Sequence, residues 1–179
     1  LPTLPTGYEI KSGQNISGFN SSSLQVLPPD ATADTKIILV SKKETLNQGT
    51  SQTVTFVGAG EKTPATKVQN DFVFTGTKDM VSGVSTWDMS SHTYGSVPVP
   101  VVTGYYADKA EAGFKTVTLD EPEVTDKVIY KPLGKIIQVD ENFNVIPNSN
   151  SVTYENNPYN PREAIETAIP AAPAGYKIR

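Results

Sequence analysis

Apolar and polar side chains alternate most clearly in the middle of the chain. Val54 and Phe56 fall on one face of an extended segment, and Thr53 and Thr55 fall on the other. The same two-residue period returns at residues 71–74. An alternation of this period predicts strands that have one buried face and one face exposed to water.

Shorter apolar runs, separated by glycine or proline, predict further strands. Intervals of about 10–15 residues between such runs are typical of an antiparallel sheet or sandwich. An apolar run at residues 36–40 also has strand character. The remaining predicted strands cover residues 84–89, 96–102, 114–119, 123–130, 135–139 and 151–155.

One short helix is predicted near residues 161–168. Asn160 stands at the N-cap position, Pro161 at the first helical position and Glu163 in the first turn, which are the preferred places of these residue types. Pro170 ends the helix. The predicted fold class is therefore mainly β with a small α+β part that resembles a ubiquitin-like β-grasp, built from short antiparallel strands and this helix.

The first eleven residues return near the other end of the chain, at an offset of 168 residues. Both copies carry the pattern Pro-x-x-Pro-x-Gly-Tyr, and a repeat of this kind predicts a tandem array of modules. Such arrays are more often stalks or multivalent binders than enzymes. The identical pairs are Pro2/Pro170, Pro5/Pro173, Gly7/Gly175, Tyr8/Tyr176 and Ile10/Ile178.

The repeat divides the chain into three predicted segments. Residues 1–43 are the C-terminal half of a β-grasp-like subdomain, residues 44–133 are a complete β-rich subdomain, and residues 134–179 are the N-terminal half of the next β-grasp-like subdomain. The two end segments are then complementary halves. They are expected to complete each other either within one chain or by exchange between neighbouring chains.

Composition narrows the class of protein. The chain has no cysteine, which excludes a disulfide framework, a thiol nucleophile and a thiolate metal site. The net charge of −4 is spread without a basic run, so nucleic acid and anionic membranes are poor partners. A secreted chain without cysteine is typical of a Gram-positive bacterial surface. With no apolar run of about 20 residues, any export signal or wall anchor is expected outside this sequence.

Motifs in the middle and last parts of the chain resemble a known family. The first group is similar to the second subdomain of mucus-binding (Mub) repeats of lactobacilli, which are MucBP-type adhesins. The second group is similar to the start of the linked first subdomain, whose Pro-x-x-Pro-x-Gly-Tyr motif occurs here twice. The first group is Val57–Ala65, Val68–Phe72, Phe74–Gly76, Thr86–Asp88, Ser91–Gly95, Pro100–Lys109 and Lys115–Thr118; the second is Gly134–Ile137, Val139–Asp140, Ile146–Asn148 and Tyr154–Pro158.

The resemblance implies a non-enzymatic adhesin of the bacterial cell surface, anchored to the wall through regions outside this sequence. Its repeats would bind host mucin glycoproteins, weakly per copy and strongly as an array. Immunoglobulins are an alternative partner, neighbouring repeats of the same chain are further partners, and a purely structural stalk spacer is a further alternative. The resemblance also implies β-rich subdomains, of which one is ubiquitin-like.

Aromatic side chains are the candidates for glycan binding, because a ring stacked on a sugar supplies apolar contact while nearby polar groups bind its hydroxyls. Packing in a thin core is the competing interpretation, and of the adjacent tyrosines only one can face inward in an extended segment. Asp88, Asn70 and His92 are the polar candidates nearby. The aromatic candidates are Trp87, Tyr94, Tyr105 and Tyr106.

A weak calcium site is predicted at Asp140, Asn142 and Asn144, which have the spacing of the first ligands of an EF-hand loop. Val145 and Ser151 stand where that loop needs glycine and glutamate, so a hairpin turn is the alternative. No other cofactor is expected. Catalytic interpretations are disfavoured: Ser91, His92 and Asp88 lack a Gly-x-Ser-x-Gly elbow, and the carboxylates of residues 120–123 fall in a predicted turn.

Overall fold

The computed structural model describes residues 3–178, which fold into many short strands. Apart from a single-turn 3-10 helix at Gly60–Lys62, the described residues contain no helix. None of them therefore forms a helix long and apolar enough to cross a membrane. The mainly β class is confirmed. The strands are β1 Tyr8–Ile10, β2 Phe19–Asn20, β3 Gln25–Val26, β4 Leu39–Ser41, β5 Lys43–Gly49, β6 Ser51–Val57, β7 Lys67–Gln69, β8 Val73–Asp79, β9 Ser85–Trp87, β10 Ser91–Thr93, β11 Ser96–Pro98, β12 Tyr105–Ala107, β13 Glu111–Gly113, β14 Thr116–Thr118, β15 Glu123–Pro132, β16 Lys135–Ile136 and β17 Val152–Thr153.

The chain forms two compact units. The first combines the residues up to 48 with residues 73–90, and the second combines residues 49–72 with those from 91 onward. In the first unit, β5, β8 and β9 form a three-stranded sheet, while β1 pairs with β4 and β2 pairs with β3. Both of these two-stranded ladders are antiparallel.

The second unit is built on a four-stranded sheet of order β12-β15-β6-β7. Its two central strands, β6 and β15, run parallel over seven residue pairs, whereas the outer strands are antiparallel to them. The expectation of purely antiparallel strands is therefore wrong at the centre of this sheet. The long connection through β7 to β14 makes the parallel pairing possible, since a parallel pair needs a crossover.

The core of the second unit follows the alternation of the sequence. Every second residue of β6 is buried, beginning with Gln52, and its neighbour β15 contributes Val128 and Tyr130. The Tyr130 hydroxyl donates a 2.7 Å hydrogen bond to the carbonyl of Pro100, so this buried polar group is satisfied. The apolar core consists of Val54, Phe56, Ala59, Val97, Val99, Val102, Ala107, Ala112, Val128 and Tyr130.

The predicted helix at 161–168 is wrong, because its backbone groups have other partners. Asn160 does accept a hydrogen bond from the Arg162 N–H through its side chain, as an N-cap would. The carbonyl of Pro161 accepts instead from the Ala107 N–H at 2.8 Å, and the Ile165 N–H donates to Glu155 at 2.9 Å. Residues 163–165 therefore run antiparallel to residues 155–157, and a helix of only eight residues is too short to compete.

The two predicted half-subdomains form separate ladders. Within the first end segment β1 pairs with β4 and β2 with β3, and within the third β16 pairs with β17. Completion of one segment by the other, within one chain or between neighbouring chains, stays a prediction, as do the three segment boundaries.

Candidate functional site

Trp87 lies on β9 directly opposite Gly76 of β8. A Cβ atom placed on Gly76 would lie 3.0 Å from both the Trp87 Cα and its ring atom Cε3, and 2.5 Å from the carbonyl oxygen of Thr86. The glycine therefore lets the indole lie against the strand, where the side chain remains half-buried. An aromatic ring that lies against a sheet and stays half-exposed can contact a ligand.

A polar pair lies on the opposite face of the same two strands, because Thr75 and Asp88 each stand one residue along from the Gly76–Trp87 pair. The Thr75 hydroxyl donates a 2.6 Å hydrogen bond to the Asp88 carboxylate, and the Asp88 N–H donates to the Thr75 carbonyl at 3.0 Å. Both side chains are exposed. The indole is therefore the group of this ladder that can stack on a sugar ring, while the Asp88 carboxylate is held by Thr75 on the other face.

Tyr94 is placed in the interior, so it is not available for stacking on a sugar. It is 3% exposed. Its hydroxyl shares a 2.8 Å hydrogen bond with the Thr50 hydroxyl and donates to the Thr50 carbonyl at 3.1 Å. Tyr94 therefore packs in the core, which was the competing interpretation of the aromatic candidates.

His92 also has a packing role. Its ring stacks on Phe72 with a centroid distance of 3.8 Å and an interplanar angle of 5°, and it meets Tyr94 edge-on at 4.9 Å. A ligand that stacked on the His92 ring would have to displace Phe72 from that face. The three rings form one aromatic cluster of the second unit.

The adjacent tyrosines of β12 face opposite sides of the four-stranded sheet. Tyr105 packs against the apolar core, while its carbonyl accepts from the Asn156 side chain at 2.6 Å. Tyr106 stands opposite Lys131 of β15 and is half-buried. Tyr106 is therefore the outward tyrosine. Trp87 belongs to the first unit and both tyrosines belong to the second, so the four predicted residues do not form one cluster within a unit.

The Muc B2-like domain family matches residues 41–134, which is more than half of the chain. The chain belongs to this family. The resemblance to MucBP-type mucus-binding repeats is confirmed, and family membership supports a mucus-binding adhesin module. Domains of this kind are binding modules typical of surface adhesins. No curated protein sequence matches the chain.

Three solved structures are similar to this Muc B2-like chain. A MucBP domain from Lactobacillus acidophilus is 25% identical, with a TM-score of 0.39, and the match covers 51% of this chain and 97% of that one. The mucin-binding domain of Spr1345 from Streptococcus pneumoniae is 18% identical, with a TM-score of 0.43, over 52% and 99%. The type 2 repeat of the mucus binding protein MUB from Lactobacillus reuteri is 21% identical, with a TM-score of 0.40, over 70% and 76%.

The Muc B2-like chain uses Asp140 to close a turn. Its carboxylate accepts hydrogen bonds from the N–H groups of Asn142 at 2.8 Å and Asn144 at 2.9 Å, and these bonds, chiefly that from Asn144, hold the pKa of Asp140 below its ordinary value. The geometry is that of the hairpin turn. Among the described residues no three His, Cys, Asp or Glu side chains are grouped to hold a metal, and calcium binding here stays a prediction.

Two carboxylates have strong local roles that no sequence pattern singled out above. The Lys43 ammonium and the Ser41 hydroxyl each lie 2.6 Å from Asp79 and lower its pKa well below the ordinary range. Partial burial alone would raise the pKa of Asp126, but hydrogen bonds from Lys109 and from backbone N–H groups outweigh it and lower the pKa. The run from Asp79 to Gly83 has the composition of an Asx turn, which was the available signal for the first.

Proposed function

We propose that this chain is a glycan-binding module of a bacterial surface adhesin, and that Trp87 is its principal sugar contact. The observation that carries the proposal is the half-buried indole that lies against Gly76. Family membership supports mucus glycoproteins as the host partner. The parent protein would be anchored to the cell wall through regions outside this sequence.

The geometry gives the indole its role. Its face supplies apolar contact with the C–H face of a sugar ring, and its position on a strand costs little entropy on binding because the ring is already packed.

Binding at a single small platform is expected to be weak, and repetition compensates for it. One aromatic contact contributes about 0.5–1.5 kcal/mol beyond its buried area. When several modules are joined, the second and later contacts become intramolecular and avidity rises steeply. The duplicated Pro-x-x-Pro-x-Gly-Tyr motif of this chain supports such an array.

Oligosaccharides released from mucin provide the direct test. Trp87 is the chain's only tryptophan, so its emission should change as a sugar ring covers the indole, and the titration yields the dissociation constant. Trp87→Ala should weaken binding to a mucin-coated surface about tenfold, as the loss of one stacking contact implies. Trp87→Phe should retain part of the affinity, because it keeps an aromatic face.

Val73→Ala is the matched control, since Val73 is exposed on β8 of the same sheet. This substitution should leave binding unchanged. The comparison requires equal thermal stability of all variants. Unchanged binding of Trp87→Ala would refute the assigned contact. Equal binding to mucin stripped of its glycans would establish the protein-binding alternative, in which immunoglobulin is the next ligand to test. No binding even in multivalent display would leave only the stalk.

A further inference from the structure

β9 is an edge strand of the three-stranded sheet, because the strand order is β5-β8-β9. Two hydrogen bonds at its ends show which backbone groups face β8. The N–H of Asp88 donates to the carbonyl of Thr75 at 3.0 Å, and the carbonyl of Val84 accepts from the N–H of Asp79 at 2.9 Å. The backbone groups of positions 84 and 88 therefore point toward β8.

The direction of the backbone groups alternates along β9. Thr86 lies midway between positions 84 and 88, so its N–H and C=O groups also point toward β8. The N–H and C=O groups of Ser85 and Trp87 point the other way, to the open side of the sheet. A row of such groups is a template on which an extended peptide can add as a further strand.

The edge strand β12 of the second unit is covered by the chain itself. The Asp108 N–H donates to β15 at 3.0 Å, so Tyr105 and Ala107 have their backbone groups on the outer side. The Ala107 N–H donates to the Pro161 carbonyl at 2.8 Å. The Tyr105 carbonyl accepts from the Asn156 amide at 2.6 Å. These outer groups of β12 are therefore already bound and are not available to another strand.

The two edges of the three-stranded sheet also differ from each other. β5 begins with the exposed Lys43 and Glu44, and charged side chains on an edge strand discourage pairing with another chain. β9 consists of Ser85, Thr86 and Trp87, which carry no charge and include no proline. The first two of these residues are exposed and the third is half-buried. β9 is thus an accessible edge without a charged side chain of its own.

The open edge and the indole belong to the same residue, Trp87. Residues that lie opposite each other in paired strands project their side chains to the same face of the sheet. A ligand residue opposite Trp87 therefore projects to the face that carries the indole. The indole leans over Gly76 of β8, away from the edge, so it does not cover the outward backbone groups. A sugar attached to that ligand residue would lie on the same face as the indole.

We propose that β9 binds an extended peptide that carries a sugar on a serine or threonine, so that the module recognises the glycosylated polypeptide and not the sugar alone. The backbone groups of Ser85 and Trp87 pair with the peptide, while the sugar contacts the indole. The assignment rests on the proposed function, because it takes the indole as the sugar contact. A strand of three residues offers few hydrogen bonds, so the peptide and the sugar each bind weakly and the glycopeptide joins both contacts.

Three matched ligands test this assignment in an NMR titration of the full chain. They are a synthetic threonine-rich peptide with one threonine O-glycosylated by a mucin oligosaccharide, the same oligosaccharide free, and the same peptide without sugar. The glycopeptide should bind about tenfold more tightly than the free oligosaccharide, as two added hydrogen bonds imply, and should shift the backbone amide signals of Ser85 and Trp87. Equal affinity for the glycopeptide and the free oligosaccharide would overturn the peptide edge and leave the sugar site intact. A peptide that binds as tightly without its sugar would overturn the assigned occupant.

A pair of substitutions at Ser85 isolates the edge from the indole. Ser85→Pro removes an outward N–H and keeps the bonds from β9 to β8, whereas Ser85→Ala removes the hydroxyl and keeps the N–H. Ser85→Pro should weaken glycopeptide binding about fivefold and leave the affinity for the free oligosaccharide unchanged, while Ser85→Ala should match the wild type for both ligands. Equal glycopeptide affinity of the two variants, at equal thermal stability, would refute the edge. Absence of binding to either sugar-containing ligand in the wild type would refute the proposed function as well.

Discussion

Replacing Gln52 with alanine should strongly destabilise the second unit, because this side chain is the polar hub of its interior. Gln52 is completely buried. Its side-chain oxygen accepts from the Lys115 N–H at 2.7 Å, and its amide nitrogen donates to the Gly95 carbonyl at 3.0 Å and to the Gln69 side chain. One side chain therefore connects β6 to β7 and to two loops that border the sheet.

The magnitude follows from the groups that alanine would leave unpaired. Each buried donor or acceptor without a partner costs about 1–3 kcal/mol. The two backbone groups affected here belong to Lys115 and Gly95, which are exposed residues, so water offsets part of that cost. The cavity left beside Gly113 adds to the loss, since the Gln52 amide nitrogen lies 2.6 Å from where a Cβ on Gly113 would be. We expect the free energy of unfolding to fall by about 2–4 kcal/mol in Gln52→Ala.

Urea unfolding followed by far-UV circular dichroism measures this change, since the only tryptophan lies in the other unit. Thr53→Ala, the next residue of β6 with its side chain on the opposite face, should cost about 1 kcal/mol or less. Gln52→Glu should be nearly as harmful as alanine, because it presents a second oxygen to two acceptors. A loss below about 1 kcal/mol in Gln52→Ala, at an unchanged m-value, would show that the hub does not stabilise the unit.

Three further changes test separate features of the second unit. Tyr94→Phe removes the hydroxyl that bonds Thr50 twice and should lower the unfolding free energy by about 1–2 kcal/mol; an unchanged urea midpoint would contradict this. Gly58→Ala should cost more than about 2 kcal/mol, because Gly58 has φ +98° and a Cβ would lie 2.2 Å from the Tyr130 carbonyl; a stable alanine variant would show that the turn can relax. Asp126 has a folded pKa below its ordinary value of 3.8, so its stabilisation is present above that value and is lost as the pH falls through the lower folded pKa. Acid titration of Asp126→Asn should therefore give a flatter fall in stability than the wild type, and parallel curves would refute the role.

The sequence was most informative where one strand carries its own pattern. The alternation from Gln52 to Phe56 correctly predicted the buried face of β6, because side-chain direction in a strand depends only on position along it. The pairing of β6 with β15 could not be read in the same way. More than sixty residues separate these strands, and their parallel register depends on packing that no local window contains.

The wrong prediction of a helix at 161–168 shows that local signals can be correct and still not determine the structure. The local signals at Asn160 and Pro161 are genuine, and the cap hydrogen bond to Arg162 is formed. A cap satisfies only the first turn, however, and continuation requires each later N–H to find its intrahelical acceptor. Here Ile165 donates to Glu155 and Pro161 accepts from Ala107, so distant backbone groups decided the structure.

The candidate site was predicted in part for a similar reason. Aromatic residue type alone identified Trp87 and Tyr94 equally, whereas their surroundings separate a half-buried ring from one that is 3% exposed. The useful signal beside Trp87 was Gly76, an interior strand glycine, which indicates close approach of another group. The observation that places Tyr94 in the core is its hydrogen bond to Thr50. The two residues are 44 positions apart, so no local sequence pattern reveals this contact.

The duplicated motif separates local from tertiary information within a single chain. Two copies with the same prolines, glycine and tyrosine make turns with the same φ at Gly7 and Gly175, so the turn is encoded locally. Among the described residues the first copy continues as a paired strand, with Ser41 and Leu39 opposite its tyrosine and isoleucine. The motif thus encodes the turn, whereas pairing of the segment that follows depends on an edge that lies elsewhere in the sequence.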